Sequence, residues 1–285
     1  MAPRHMEAIV DTGNRLVAAM DPFDSVGVID RYAPDASFFT EFERFDRHAE
    51  KLRRMGEEQR LHYVSICSPN YLHDAHCRFA LRIGADAICE KPLVLNPWNV
   101  DALEEVEKDT GQKIYNVLQL RMHPSVIRLK EKFGNDTSGK RHQIELKYIT
   151  SRGRWYFNSW KGDIGKSGGV ATNIGIHFFD MLMWIFGSVR VSRVTHRTDY
   201  GMKGELELEN ADVNWHLSVD RNDLPPEADG HPTWRSLTTD GKEFEFSHGF
   251  TDLHTEVYRD ILSGGGFGLV DSRSAIELVH KIRTQ

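Results

Sequence analysis

The sequence predicts an α/β protein with a doubly wound parallel sheet, followed by an α+β domain with a large, mainly antiparallel sheet. Up to residue 117, short apolar runs that end in polar clusters alternate with helical segments, as in parallel α/β sheets. From residue 118 the strands alternate apolar and polar residues, which is typical of half-exposed antiparallel strands. We therefore expect two domains, 1–117 and 118–285, which a chain of 285 residues can fill.

Composition and charge exclude several classes of partner. The net charge is −6, and acidic and basic residues are interspersed, so a nucleic-acid-binding surface is not expected. The N-terminus lacks the apolar core of a signal peptide, and the longest apolar run, 178–186, is too short to span a bilayer. Three cysteines show neither paired nor metal-type spacing. We expect a cytoplasmic protein that has no disulfide framework, no metal and no membrane contact.

The first half contains the alternating elements of a parallel sheet. The predicted strands are 16–21, 38–39, 62–67, 87–92 and 113–117, and the predicted helices are 3–9, 47–55, 72–83 and 98–110. Gly84 and Gly111 follow two of these helices as expected C-terminal caps. Because the carboxyl ends of parallel strands share one edge of a sheet, the polar residues after the strands should line a ligand site.

Two of these strand ends carry candidate functional residues. Ala87-Ile88-Cys89 runs into Glu90-Lys91-Pro92, and Pro92 would hold Lys91 on a stiff corner as a catalytic candidate. A surface turn with a solvated ion pair is the alternative interpretation. Asp21 ends the first predicted strand, where a dinucleotide site places an acidic residue against the adenosine ribose. A turn-forming aspartate is the alternative there.

The second half reads as an antiparallel sheet with helices. Strands are predicted at 143–150, 189–196, 204–208, 212–220, 234–238 and 242–246, and helices at 125–133 and 272–283. Gly264-Gly265-Gly266 is predicted to be a loop after a helix. The long alternating strands could supply a flat face for self-association, since one face of such a sheet must be covered.

The segment 151–180 is the richest in chemistry, because it mixes glycines, cations and aromatic residues. From Asn173 the spacing becomes helical and places Asn173 and His177 on one face, with Asp180 three residues beyond. That face would carry an amide, an imidazole and a carboxylate. A satisfied structural histidine is the alternative for His177, and a zinc site lacks suitably spaced ligands.

These motifs resemble the Gfo/Idh/MocA oxidoreductase family. The resemblance is carried by Glu90-Lys91-Pro92 and by the segment 168–180, Gly-Gly-Val-Ala-Thr-Asn-Ile-Gly-Ile-His-Phe-Phe-Asp. Four further stretches are similar to the family's nucleotide-sugar branch, the WlbA/WbpB-type NAD-dependent UDP-N-acetylglucosaminuronate 3-dehydrogenases: 66–73, 149–153, 159–163 and 249–254. Most of the family has aspartate where this chain has Asn173, whereas that branch has asparagine. Asn173 therefore favours the nucleotide-sugar branch. The resemblance to the family as a whole implies a Rossmann-like first domain.

The sequence departs from the family in one important respect. A dinucleotide-binding domain begins with a strand and a Gly-x-Gly-x-x-Gly turn, but residues 3–9 already read as the helix that follows that turn. We expect that the chain begins just after the first strand and phosphate loop, and that it also stops short of the family's usual end. Weak cofactor binding or none is then expected, and two strand edges would be left unpaired.

The resemblance implies oxidation of the C3 hydroxyl of UDP-N-acetylglucosaminuronic acid, a step of O-antigen and lipopolysaccharide sugar synthesis, with NAD as the cofactor. Lys91 and His177 would be the catalytic pair, and the sequence leaves open which of them is the direct base. The residues implied to bind the cofactor are Asp21, Ser68, Asn70, His73, Glu90, Lys91, Gln119 and Trp160. Those implied to bind the substrate are Arg152, Tyr156, Lys161, Lys166, Asn173 and His177.

Two other functions stay open at this level. Another family member acting on a free sugar or cyclitol would share the same motifs, although the cations of 152–166 favour a phosphorylated substrate. A non-catalytic fragment that binds a UDP-sugar is the alternative of another class. For each of these functions we expect a homo-oligomer, a dimer or a tetramer, formed through the antiparallel sheet.

Overall fold

The structure is a computed structural model that describes residues 1–23, 26–136, 138–244 and 252–285. The helices of the first half are α1 (Ala2–Asp11), α2 (Val26–Ile29), α3 (Phe42–Arg54), α4 (His73–Arg82) and α5 (Pro97–Thr110). Its strands are β1 (Ala18–Met20), β2 (Ser37–Phe39), β3 (Tyr63–Ile66), β4 (Asp86–Cys89) and β5 (Ile114–Asn116). The predicted alternation of strands and helices is confirmed, including the helix that begins the chain.

All strand pairs of this half are parallel, but they form two separate sheets. β1 pairs with β2, and β3, β4 and β5 form a three-stranded sheet in that order. Within the described ranges, β1, β2, β3 and β5 each have a strand on one side only, and no described strand joins the two sheets. Gly111 ends α5 in the left-handed conformation at φ 74°, as its predicted capping role requires.

The second half is built on a six-stranded mixed sheet. Its elements are α6 (Pro124–Gly134), β6 (His142–Thr150), α7 (Trp155–Asn158), α8 (Ile164–Ser167), α9 (Ile176–Phe186), β7 (Val189–Arg197), β8 (Gly201–Leu208), β9 (Ala211–Ser218), β10 (Thr233–Thr239), β11 (Lys242–Glu243), α10 (Leu253–Leu262) and α11 (Leu269–Thr284). The strand order is β11-β10-β6-β9-β8-β7. The end of the predicted strand 242–246 and the first half of the motif 249–254 lie outside the described residues.

The sheet is mainly antiparallel, as predicted, and contains one parallel pair of strands. β6 pairs antiparallel with β10 but parallel with β9, so the sheet is mostly rather than wholly antiparallel. The alternation in β6 correctly indicated that one face is buried. It could not indicate direction, because a period of two reports only the exposure of the two faces.

The helix α9 covers the inner face of this sheet. Phe179 is fully buried and meets the ring of Trp215 on β9 edge to face, with ring centroids 5.3 Å apart. Burial of such an aromatic side chain contributes roughly 1.5–3 kcal/mol. By length and composition alone, Ile164–Phe186 could cross a membrane, but 72% of its most apolar window is buried inside the protein, as expected of a core helix.

The last two helices return to the parallel sheet. Val257, Tyr258 and Ile261 of α10 form one apolar cluster with Ala8 of α1 and Ile88 of β4. α11 packs on both α5 and α9, so it contacts both halves of the chain. The carboxyl edge of the parallel sheet is therefore enclosed by elements from both ends of the sequence.

Candidate active site

Lys91 lies at the corner after β4, where the sequence predicted a catalytic lysine. Its side chain is half-buried, and its Nζ donates a hydrogen bond to the backbone carbonyl oxygen of Asn173 at 2.7 Å. The corner itself is held by His73, whose Nδ1 lies 2.7 Å from the Pro92 carbonyl oxygen. The lysine therefore points from the parallel sheet into the second domain.

His177 approaches Lys91 from the second domain. A π-helical turn, Ala171–Gly175, leads into α9, and His177 is the second residue of that helix. Such turns interrupt the regular helix and are frequent at functional sites. Burial lowers the pKa of His177 well below its ordinary value, and the nearby Lys91 cation lowers it further. At neutral pH the imidazole is therefore uncharged.

The charge of Lys91 is finely balanced. Burial lowers the pKa of Lys91 to about 8, the Glu90 carboxylate opposes that shift, and the Arg152 guanidinium adds to it. A lysine with this pKa exchanges protons near neutrality, as a general base must. Of the two predicted catalytic residues, Lys91 therefore titrates near neutral pH, whereas His177 stays uncharged there.

A chain of side-chain amides joins the two halves next to this pair. Asn70, buried after β3, donates through Nδ2 to the Ser167 carbonyl oxygen at 2.9 Å and to Asn173 Oδ1 at 3.4 Å. Asn173 Nδ2 in turn donates to the buried Tyr156 hydroxyl at 3.0 Å. Three residues predicted to bind cofactor or substrate thus hold one another around Lys91.

Glu90 is buried directly beneath Lys91. One carboxylate oxygen, Oε1, lies 3.0 Å from His5 Nε2 and 2.9 Å from His254 Nε2, and Oε2 accepts a hydrogen bond from the Lys91 backbone N–H at 3.2 Å. Burial opposes ionisation, but the hydrogen bonds from His254 and His5 hold the pKa of Glu90 well below its usual range. A contact between Glu90 and the cofactor stays a prediction.

The other residues expected to bind cofactor lie at the carboxyl edge of the parallel sheets. Ser68 Oγ and His76 Nδ1 lie 2.9 Å apart, while His73 Nε2 lies 2.9 Å from the Ser68 carbonyl oxygen. Both ring nitrogens of His73 are thus engaged by backbone. Asp21 Oδ1 accepts from the Phe23 backbone N–H at 2.9 Å, which caps the turn after β1. Their cofactor contacts remain predictions.

Two buried acceptors fit a nicotinamide dinucleotide. Gln119 Oε1 and His254 Nδ1 are buried without a hydrogen-bond partner among the described residues. A buried polar atom without a partner costs roughly 1–3 kcal/mol, so each position favours a bound donor. A nicotinamide carboxamide and ribose hydroxyls supply such donors, so the residues present fit the cofactor.

Two of the predicted substrate cations are Lys161, in the loop before α8, and Lys166, in α8 itself. Lys161 Nζ lies 4.5 Å from the centre of the Trp160 ring and 5.6 Å from that of Trp155. Lys166 is exposed and lies 3.8 Å from the Asp163 carboxylate and over the Tyr71 ring. Arg152, a third predicted substrate cation, is close enough to lower the pKa of both Lys91 and Lys161.

The predicted face of amide, imidazole and carboxylate is only partly correct. Asp180 is buried and pairs with Arg121, whose Nη2 lies 2.7 Å from its Oδ1. Arg121 also reaches Asp271 on α11 at 3.2 Å. The Asp180 carboxylate is therefore paired with Arg121, which links α9 to α11. The helical spacing could not indicate this pairing, because Arg121 lies 59 positions away in the sequence.

Sequence reasoning missed three residues. His5 on α1 and His254 on α10 reach Glu90 across 85 and 164 positions of sequence, a separation that no local pattern reveals. Arg235 on β10 is a cation close enough to lower the pKa of His177, after the larger effects of burial and of Lys91. The ligand atoms of His5, Glu90 and His254 lie within 4.8 Å of one another, a grouping that the search for metal-type spacing could not find.

Comparison with known proteins agrees with this architecture. Residues 1–117 match the Gfo/Idh/MocA oxidoreductase family's NAD-binding Rossmann fold, and residues 130–220 match its C-terminal alpha/beta domain. The D-glucoside 3-dehydrogenase of Escherichia coli is 31% identical over 144 residues, which are 46% of this chain and 37% of that protein. The match thus spans less than half the length of this curated relative.

Solved structures extend the likeness to nearly the whole chain. The Thermus thermophilus WlbA (WbpB) dehydrogenase in complex with NAD and alpha-ketoglutarate is 50% identical, with a TM-score of 0.95 over 99% of this chain and 91% of that one. Its complex with NAD and UDP-GlcNAcA is 49% identical, with the same TM-score over 100% and 91%. The Bordetella pertussis WlbA dehydrogenase, at 16% identity and a TM-score of 0.79 over 99% and 91%, shares the fold. This chain belongs to the Gfo/Idh/MocA family of oxidoreductases.

Proposed function

We propose that this protein catalyses the NAD-dependent oxidation of the C3 hydroxyl of UDP-N-acetylglucosaminuronic acid to the 3-keto sugar. The observation that carries the proposal is Lys91, a half-buried lysine with a pKa of about 8, beside the uncharged His177 at the carboxyl end of a parallel strand. The T. thermophilus dehydrogenase complex with NAD and UDP-GlcNAcA supports the choice of substrate.

A side chain of the protein accepts the proton that the reaction releases. Oxidation of a secondary alcohol releases a hydride, which NAD accepts when bound, and a proton. Lys91 donates one N–H to the Asn173 carbonyl oxygen, so the lone pair of its neutral amine is free to accept the proton of the substrate hydroxyl. His177 stays neutral and hydrogen-bonds the same hydroxyl, which orients it toward the amine.

The cations of the second domain suit a diphosphate and a carboxylate. Arg152 is close enough to lower the pKa of both Lys91 and Lys161, and the Trp155 and Trp160 rings beside Lys161 offer a stacking surface for uracil. Asn173 can donate a hydrogen bond to a sugar hydroxyl, which an aspartate in its place could not. A free sugar or cyclitol would leave these cations without an anionic partner.

A second candidate reaction concerns the reduced cofactor. The T. thermophilus dehydrogenase, 50% identical to this chain, was crystallised with NAD and alpha-ketoglutarate. The 2-oxo group of that compound can accept a hydride, and its two carboxylates suit the same cations. We propose that alpha-ketoglutarate reoxidises NADH in this site, which conversion to 2-hydroxyglutarate with NADH alone would establish.

We also assign a cellular role and an oligomeric state to the protein. We propose a cytoplasmic enzyme of O-antigen and lipopolysaccharide sugar synthesis that assembles as a dimer or tetramer through the outer face of the six-stranded sheet. That face carries exposed charges of both signs, including Glu145, Lys147, Lys203 and Glu205, which suits self-complementary pairing. Light scattering measures the oligomeric state, and a monomer at working concentration would contradict this part.

The test of the function uses the purified chain with NAD and UDP-N-acetylglucosaminuronic acid. We expect absorbance at about 340 nm to rise, and mass spectrometry to find a sugar two hydrogens lighter. UDP-N-acetylglucosamine lacks the carboxylate and should react much more slowly. Turnover of myo-inositol or glucose instead would support the free-sugar alternative. If UDP-sugar binds but NADH does not, the non-catalytic alternative is correct.

A further inference from the structure

The buried carboxylate of Glu90 joins three distant parts of the chain. His5 comes from α1, His254 from α10 and Glu90 from the end of β4, and the three side chains are 1%, 2% and 5% exposed as residues. Both imidazoles place Nε2 within 3.0 Å of the same Glu90 oxygen. We call this group the Glu90 clamp.

The hydrogen bonds of the clamp all point toward the carboxylate. An ionised carboxylate only accepts hydrogen bonds, so both Nε2 atoms carry a proton. Because burial lowers the pKa of His5, its ring is neutral and its Nδ1 accepts from the Tyr258 hydroxyl at 2.8 Å. Tyr258 accepts in turn from Ser65 Oγ. Because each hydrogen bond in this chain is donated toward Glu90, the chain stabilises the carboxylate anion and does not transfer protons away from it.

The anion acts on the groups around Lys91. Lys91 is faced by the Glu90 carboxylate, the Arg152 cation and the uncharged His177, and its amine is bonded to the Asn173 carbonyl. Glu90 is the single anion among these neighbours. It therefore favours the ammonium form that the lysine reaches after accepting a proton. Behind Glu90 lie the two clamp histidines, the Cys67 and Cys89 thiols and Tyr258. Burial lowers the pKa of His5 and raises the pKa of Cys67, Cys89 and Tyr258, so these four groups are uncharged at neutral pH.

We propose that His5 and His254 are positioning residues that keep Glu90 ionised beneath Lys91, and that this fixed anion sets the basicity of the catalytic amine. Neither histidine needs to touch the substrate for this role. The kinetic consequence rests on the proposed function, whereas the effect on Lys91 does not. The same three residues could instead hold a metal ion, but the two nitrogen–oxygen distances of 3.0 and 2.9 Å are those of direct hydrogen bonds.

The experiment measures the titration of Lys91 without cofactor or substrate. Competitive acetylation across pH, followed by peptide mass spectrometry, reports the fraction of neutral amine. In the wild type we expect a midpoint near the pKa of about 8. Glu90→Gln should lower the midpoint by about 1 to 3 pH units, because it removes the neighbouring anion. The double variant His5→Phe/His254→Phe should lower it in the same direction, because Glu90 then becomes protonated.

Controls separate this role from a structural one. His62→Phe changes an exposed histidine and should leave the midpoint unchanged. His254→Gln keeps an N–H donor near Glu90 and should reverse most of the lowering of the midpoint that His254→Phe causes. If the double variant does not fold, the single His5→Phe and His254→Phe variants should each lower the midpoint by less.

Several results would overturn the inference. An unchanged or raised midpoint in a folded double variant would do so, as would unchanged midpoints in both single variants. One equivalent of zinc per chain in the wild type would instead make the clamp a metal site. In an active enzyme, the pH at which kcat reaches half of its maximum should shift together with the acetylation midpoint. A moving midpoint without turnover would count against the proposed function alone.

Discussion

The Nζ of Lys91 lies 2.7 Å from the backbone carbonyl oxygen of Asn173, so the candidate base of the first domain is anchored on the π-helical turn of the second. The contact joins positions 82 residues apart. The geometry of the base therefore depends on how the two halves of the chain pack.

Lys91 should control both turnover and its pH dependence. Only the neutral amine accepts a proton, so the rate should rise with pH up to the pKa of about 8 and level off above it. Lys91→Met should reduce kcat by about 10² to 10⁴-fold. Lys91→Arg keeps the cation but never deprotonates near neutrality, and it should be as inactive. Activity of the arginine variant within tenfold of wild type would show that another group is the base.

Asn173→Asp should impair substrate binding and shift the pH profile. The new carboxylate cannot donate a hydrogen bond to the sugar, so KM for the UDP-sugar should rise. It also adds an anion near Lys91, which favours the ammonium, so the pH limb should move upward by about one unit. Steady-state kinetics across pH measure both effects. Tyr156→Phe, which removes the Asn173 hydrogen-bond partner without adding charge, should raise KM and leave the limb in place.

Gly162→Ala should disturb the substrate loop. A Cβ at Gly162 would lie 2.5 Å from the Cα and 2.7 Å from the carbonyl oxygen of Phe157, so the backbone that carries Trp160 and Lys161 must shift. We expect KM for the UDP-sugar to rise about tenfold or more. Gly134→Ala meets nothing within 4 Å and is the matched control. Equal KM values in the two variants would exclude a binding role for this loop.

The Arg121–Asp180 pair should be important for stability. Arg121→Met leaves the buried Asp180 carboxylate without its cation, which should lower the free energy of unfolding by about 3 to 5 kcal/mol. The double variant Arg121→Met/Asp180→Leu also removes the unpaired carboxylate and should recover much of the lost free energy of unfolding. Arg259→Met removes an exposed ion pair with Glu256 and should have little effect. Urea denaturation measures all three, and a loss in the single variant no larger than in the Arg259 control would refute the assignment.

The sequence by itself determined the fold class and predicted the candidate residues at the corner after β4. Buried parallel strands leave continuous apolar runs, half-exposed strands leave a period of two, and helix caps leave glycines, so these elements are readable locally. Glu90, Lys91 and His177 were found in the same way, because a polar cluster at the end of a buried strand or on an apolar helix stands out from its neighbours.

Only the tertiary structure decided what these residues contact. The partners of Glu90 are His5 and His254, near the two ends of the chain, and the partner of Lys91 is a backbone carbonyl that has no sequence signature. Asp180 pairs with Arg121, a residue 59 positions away that its helical spacing could not reveal. Packing of distant segments sets these contacts, and a local pattern carries no information about packing at that range.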